Sequence, residues 1–300
     1  MARTAVLFTA LTLISACRAA PDAPNPPGET GSSALSVDVF TSPEQAGAVN
    51  STIVLGQKEA LVIDAQYTKS GANAVADRIE ASGRTLTQIF ITHPHPDHYF
   101  GATTLLERFP DASVVATAET VEVMKASAAA KADVATGQLG PEFPGAPVIP
   151  TPLDGNALEL EGHTLPLLPG LQGDTHGVTG VKIPDANTVV LGDVLFSGVH
   201  AWTADSNAES RAAWARQLDA LEDLDGVTRF IPGHQTPDAD QTAEALRSTK
   251  AYLATFDSAV TDNEGSDAII AAMSSAYPDL AGGFFLQLGA KVAAGEMEWQ

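Results

Sequence analysis

Thr92-His93-Pro94-His95-Pro96-Asp97-His98 places three imidazoles and a carboxylate within six residues. Neutral imidazole and ionised carboxylate are the ligands that zinc, iron and manganese accept, and so tight a cluster lets one loop serve two adjacent ions. The two prolines disfavour helix for the residues before them, so His93 and His95 are held extended and the following helix starts at or after Asp97. Extended residues at i and i+2 face the same side. The spacing therefore predicts that His93 and His95 serve one ion, while Asp97 and His98, which begin the next element, serve a second.

A cluster of four needs partners from elsewhere, and polar residues beside strands are the natural donors. Gly192-Asp193 follows the apolar run 188–191, and Gly233-His234 follows Phe230 and Ile231. Gly173-Asp174-Thr175-His176-Gly177 precedes a strand at 180–183. Each glycine lets the backbone turn sharply and approach closely where a side chain must reach a metal. Asp64, at a strand end, reads as a group that orients a ligand histidine. His200 follows Asp193 on an expected site loop and is a candidate hydrogen-bond or proton donor to substrate. Tyr67 and Tyr99 are weaker candidates of the same kind, and His163, in an alternating strand-like segment, reads as a surface or supporting histidine.

Short apolar segments and longer amphipathic ones must position these groups. Strands are predicted at 36–41, 51–55, 60–64, 88–92 and 113–117, with a hairpin at 56–59. Helices are predicted at 70–82, 102–109 and 119–132. The glycine- and proline-rich stretch 137–152 reads as a loop that could cover a site. Further strands are expected at 157–161, 164–168, 180–183, 188–191 and 229–231. Ser206 and Glu209 form a candidate capping box ahead of a helix carrying Trp214, Leu218 and Leu221 on one face. The tail from 242 to 300 is helical in pattern, suited either to covering the site or to pairing subunits.

On these motifs the sequence resembles the metallo-β-lactamase superfamily over roughly residues 35–240. The resemblance implies an α/β fold, a four-layer αββα sandwich, with the site along one edge between two sheets. It implies ligation by His93, His95, Asp97, His98, Asp193, as the carboxylate bridging two ions, and His234. One element departs from the pattern: Asp174 falls in the slot of a family histidine, with His176 the alternative if the loop is rearranged. The resemblance implies two divalent metal ions, zinc being the first expectation; such a swap adds negative charge at the first ion and favours iron or manganese, which stand as the alternatives.

The implied activity is hydrolysis of an ester, lactone, thioester or amide-type small substrate. A hydroxide held between the two ions would attack, Asp97 would orient it, and His200 would assist the leaving group. Asp193 makes the chain resemble the lactonase or glyoxalase II branch more than the histidine-only β-lactamases, leaving β-lactam cleavage as a side activity. Two alternatives stand beside this: an iron-dependent dioxygenase acting on persulfides, and a metal-binding lipoprotein without turnover.

Composition bounds the setting. A formal net charge of -21 excludes a nucleic-acid partner, which would need a basic face. Arg3 and the apolar run 5–14 read as a signal peptide over residues 1–16, and Ile14-Ser15-Ala16-Cys17 resembles a bacterial lipobox. Cys17 is the only cysteine, so lipidation there leaves no thiol for a disulfide or a metal. Residues 17–34 read as a flexible tether and 35–300 as one metallohydrolase domain. The expected location is outside the cytoplasm, anchored by lipid to the periplasmic or extracellular face of a membrane.

Overall fold

Alternation along the central strands sorts apolar side chains into three cores, and the layers follow from it. The computed structural model describes residues 1–2 and 34–299; the signal peptide beyond Ala2, the lipobox with Cys17 and nearly all of the tether lie outside them. A six-stranded sheet runs in the order β1 (Ser36–Thr41), β2 (Asn50–Leu55), β3 (Glu59–Ile63), β4 (Thr85–Phe90), β5 (Ser113–Ala116) and β6 (Thr151–Pro152). A five-stranded sheet has the order β11 (Arg229–Gln235), β10 (Thr188–Ser197), β9 (His176–Ile183), β8 (His163–Gln172) and β7 (Ala157–Leu160).

Between the sheets, Leu61, Ile63 and Phe90 meet Leu165, Val181, Val190 and Ile231. The intervening residues Val62, Ile89 and Ile91 point the other way, onto α1 (Lys69–Ala81), α3 (Ala102–Arg108) and α4 (Ala118–Leu139). On the second sheet Val189, Leu191 and Phe230 turn outward onto α5 (Ala208–Glu222), α6 (Ala243–Asp262), α7 (Ser266–Ala276) and α8 (Gly283–Ala293). Helix, sheet, sheet, helix is thus the layer order, as the resemblance implied.

Strands β3, β4 and β5 are parallel, as are β10 and β11, so their C-terminal ends gather along one edge. Chain crossings tie that edge shut: Asn50 donates its side-chain amide to the Pro232 carbonyl at 2.7 Å, and Val49 bridges to His234.

Several expected boundaries are corrected. The short helix α2 (Pro96–Tyr99) begins at Pro96, one residue earlier than expected, because proline at the first helical position loses no hydrogen bond. The stretch 137–152 is not a loop throughout: α4 continues through Gly137 to Leu139, and Gly140–Glu142 forms a 3-10 turn. Helix α5 is capped by Asn207 and Ser210, not by Ser206 and Glu209. Strands β8 to β11 run on through glycines that read as terminators, because irregular pairing absorbs them. Asp193 and His234 therefore sit within strands and not after them.

Candidate metal centre

Four segments converge at the sheet edge. The turn after β4 and α2 carry His93, His95, Asp97 and His98, the β8–β9 turn carries Asp174, β10 carries Asp193 and β11 carries His234. Between Gly192 and Phe196 the pairing with β11 slips, three residues of β10 standing against the single Gly233 of its neighbour, and the bulge includes Asp193. Gly192 takes φ +53, and a Cβ on Gly233 would fall 1.9 Å from Asp193 Oδ1, so the glycines hold open the space the carboxylate occupies.

Three clusters of potential ligands occur among the described residues; one, Asp64 with His93 and His98, is taken up by the bonds that aim these rings, and the other two face the centre. His93, His95, Asp174 and Asp193 bring one ligand atom each within 4.8 Å of one another, and so do Asp97, His98 and His234. Asp193 touches both groups: its carboxylate lies 3.6 Å from His93 Nε2, 3.2 Å from His98 Nε2 and 3.2 Å from His234 Nε2. His176, by contrast, is exposed at the start of β9, while Asp174 is buried with Oδ2 3.1 Å from His95 Nδ1. Asp174→Ala should therefore remove about one bound metal per chain and His176→Ala none, as read by elemental analysis.

Three of the four imidazoles are aimed by a hydrogen bond to the other nitrogen. His234 Nδ1 donates to the Gly47 carbonyl at 2.7 Å, leaving Nε2 inward. His98 Nδ1 meets Asp64 Oδ2 at 2.8 Å. The same carboxylate accepts the Thr92 backbone N–H at 2.9 Å and the Thr92 hydroxyl at 2.8 Å, and that hydroxyl lies 2.9 Å from His93 Nδ1. Asp64 thus orients ligands of both groups from a left-handed backbone position, φ +63. His95 is reversed, with Nδ1 inward and Nε2 3.8 Å from Asp205. Replacing Asp64 with alanine should lower metal affinity about 10–100-fold, checked by competition titration against a metal indicator.

The donor set suits cations. His93 Nε2, Asp174 Oδ2 and Asp193 Oδ1 are buried without a hydrogen bond, although ring nitrogens or carboxylates stand 3.1–3.6 Å away. Three carboxylates converging in low dielectric also need positive charge. Without a metal, imidazoles supply it. Burial opposes the charged form of His95 and His234, but Asp174 and Asp193 respectively overcome it, raising them to about 9 and about 10. His98 is pushed well up in the same way, and Asp193 and Asp97 are held down by these rings despite burial. Burial lowers His93 to about 4 and raises Asp174 to about 7.

Not every expected residue is brought here. His200 is buried beside Tyr252, with Nδ1 3.1 Å from the Tyr252 hydroxyl and the rings edge-on at 5.6 Å; it makes no hydrogen bond or ion pair to the converging carboxylates among the described residues. His163 pairs with Asp185 at 2.8 Å. Two groups went unread. Lys131 of α4 donates to the Pro94 carbonyl at 2.8 Å and lies in the field of Asp205, Asp97 and Asp174. Its signal was a lone charge after three alanines. Asp205 gave none. The tail packs on this side, and Phe285 of α8 meets the His234 ring edge-on at 5.1 Å.

The family model of the metallo-beta-lactamase superfamily matches residues 45–234, and the chain belongs to that superfamily. A stretch of 127 residues is 33% identical to the hydroxyacylglutathione hydrolase of Vibrio parahaemolyticus, covering 42% of this chain and 40% of that protein. The match thus spans less than half of the relative's length. A metallo-beta-lactamase family protein of Thermus thermophilus superposes with a TM-score of 0.60 at 21% identity, over 88% of this chain and 93% of that one. A beta-lactamase domain protein of Burkholderia ambifaria gives 0.59 at 16% identity, over 86% and 85%. At such identities the likeness concerns the fold.

Proposed function

We propose that this chain is a binuclear metal-dependent hydrolase of esters, lactones or thioesters. The observation that carries the reading is the pair of ligand groups facing one another across Asp193. His93, His95 and Asp174 would hold one divalent ion, Asp97, His98 and His234 the other, and Asp193 would join them. Ions so held supply a nucleophile from water at neutral pH and polarise the bond to be cleaved.

The residues around them divide the remaining work. Among the three carboxylates Asp97 is the most open, its side chain 24% exposed against 3% for Asp193 and 0% for Asp174. It is the acid placed to accept a hydrogen bond from the attacking water and hold it in line. Tyr67 keeps its proton, burial and then Asp97 pushing it up to about 12, and donates a hydrogen bond to Gln138 Oε1 at 3.3 Å. Lys131 offsets the surrounding acids.

The hydroxyacylglutathione hydrolase relative supports a thioester or ester as the bond broken, and the export and lipid anchoring expected at Cys17 would place the reaction outside the cytoplasm. The test is a panel of aryl esters, acyl lactones and acyl thioesters assayed before and after chelation. Turnover lost on chelation and restored by zinc or manganese is the expected result. Oxygen uptake on a persulfide by the iron-loaded protein, with no hydrolysis, would overturn it. That second reading draws on the two imidazoles and carboxylates of the first group, a donor set that non-haem iron also accepts.

A further inference from the structure

Single exposed apolar side chains are ordinary, but a contiguous exposed apolar patch marks a binding surface. Phe284 is 61% exposed and Trp299 42% exposed, and they are the exposed aromatics among the large apolar residues described. Both belong to one cluster. Trp202 stands at its centre, 5.0 Å from Trp299, 5.6 Å from Phe285 and 6.4 Å from Phe284 by ring centroid.

This cluster is fastened to the metal centre at two points. The Trp202 indole N–H donates to Asp205 Oδ2 at 2.5 Å, and the same oxygen lies 3.8 Å from His95 Nε2. Phe285 meets His234. The rings therefore span from a ligand of one ion group to a ligand of the other. They lie on the open side, where the side chains of His95 and Asp205 are 15% and 27% exposed while His93 and His98 are fully covered.

We propose that Trp202, Phe284 and Trp299 form the receptor for an apolar part of the substrate, so that the substrate class is an ester or lactone bearing an aryl group or an alkyl chain. The proposal rests on the hydrolase reading for the bond that is cut. A polar substituent would leave the indole and phenyl faces wet, whereas an alkyl or aryl group removes both surfaces from water together. Phe284 is carried by α8 and Trp202 by the segment after β10, while Trp299 reaches Trp202 from the C-terminal segment beyond α8. Rings held on elements of the fold lose little freedom on binding, which favours a defined subsite over general stickiness.

The test uses the full chain and a series of phenyl-terminated methyl ketones, neutral ester isosteres that have no bond to hydrolyse, followed by tryptophan fluorescence. Binding should saturate and tighten about fourfold for each added methylene. Phe284→Ser should weaken it at least about tenfold. The exposure of Phe284 makes that variant safe for folding, and the buried Trp214 reports an intact core. Equal affinity across the series, or affinity unchanged in Phe284→Ser, would overturn the proposal. So would a dimer in sedimentation that Phe284→Ser dissociates, since the rings would then be a subunit contact. Chain-length-dependent ketone binding without ester turnover would instead refute the hydrolase reading and leave the apolar subsite standing.

Discussion

Asp193→Asn should empty both halves of the metal centre and reduce hydrolysis by about a thousandfold or more. Asp193 alone lies against His93, His98 and His234, so its loss is felt in both ligand groups at once. An orienting neighbour typically costs about 10–100-fold in metal affinity, and a shared ligand should exceed that. The substitution has a second signature, visible without metal. Asp193 is the largest influence raising His98 and His234 against burial, so both imidazoles should titrate at lower pH in the variant. Histidine NMR titration of the metal-free protein would register that shift, and metal titration the loss of affinity. Unchanged histidines would mean that Asp193 does not stand where the other groups place it.

Metal binding at neutral pH should release on the order of three protons per chain. His95 and His234, raised to about 9 and about 10, and His98, held well above its ordinary range by Asp193 against burial, carry protons at pH 7 in the metal-free site. Metal needs their lone pairs, so proton and metal compete. Affinity should therefore rise steeply between pH 7 and 9 and level off above about 10. Calorimetry in buffers of different ionisation enthalpy counts the protons directly. Stability of the metal-free protein should move the other way. A histidine with a raised folded pKa contributes fully below about 6.5, and that contribution fades as pH rises through 9 to 10. Asp97 and Asp193, held low, contribute above about 4 and lose that contribution in acid. His93, lowered to about 4, is destabilising when pH falls below about 6.5 and opposes the other rings there. Denaturant midpoints with and without chelator at pH 6 and pH 9 should thus diverge, the gap widening at the higher pH.

What could be read from the chain and what could not has a physical pattern. The layer order was legible through the family resemblance that the Thr92 to His98 segment carries, whereas the division of the continuous apolar run Leu61, Val62 and Ile63 between two cores is seen only in the fold. Asp193 and His234 were legible from glycines flanking them beside apolar runs, although those glycines lie within the strands, where a bulge and close packing need them. Asp174 gave its signal by position in a pattern, and the exposed His176 shows why composition alone left two candidates.

Asp205 and Phe285 were not legible, and Lys131 showed only as a charge in an alanine-rich helix, since their relation to the centre comes from packing of α4, the segment after β10 and α8, over separations that no local spacing encodes. His200 shows the converse. Its place in sequence suggested the site, but the chain beyond Ser197 turns it onto Tyr252 in the outer core. The tail, which sequence left between covering the site and pairing subunits, packs against His234 through Phe285.

The most direct test of the account is the metal stoichiometry of the chain after zinc loading and removal of excess metal, by elemental analysis. Two ions per chain, falling below one in Asp193→Asn, is the result that paired ligand groups joined by one carboxylate require. A single ion whose content is indifferent to Asp193 would contradict it.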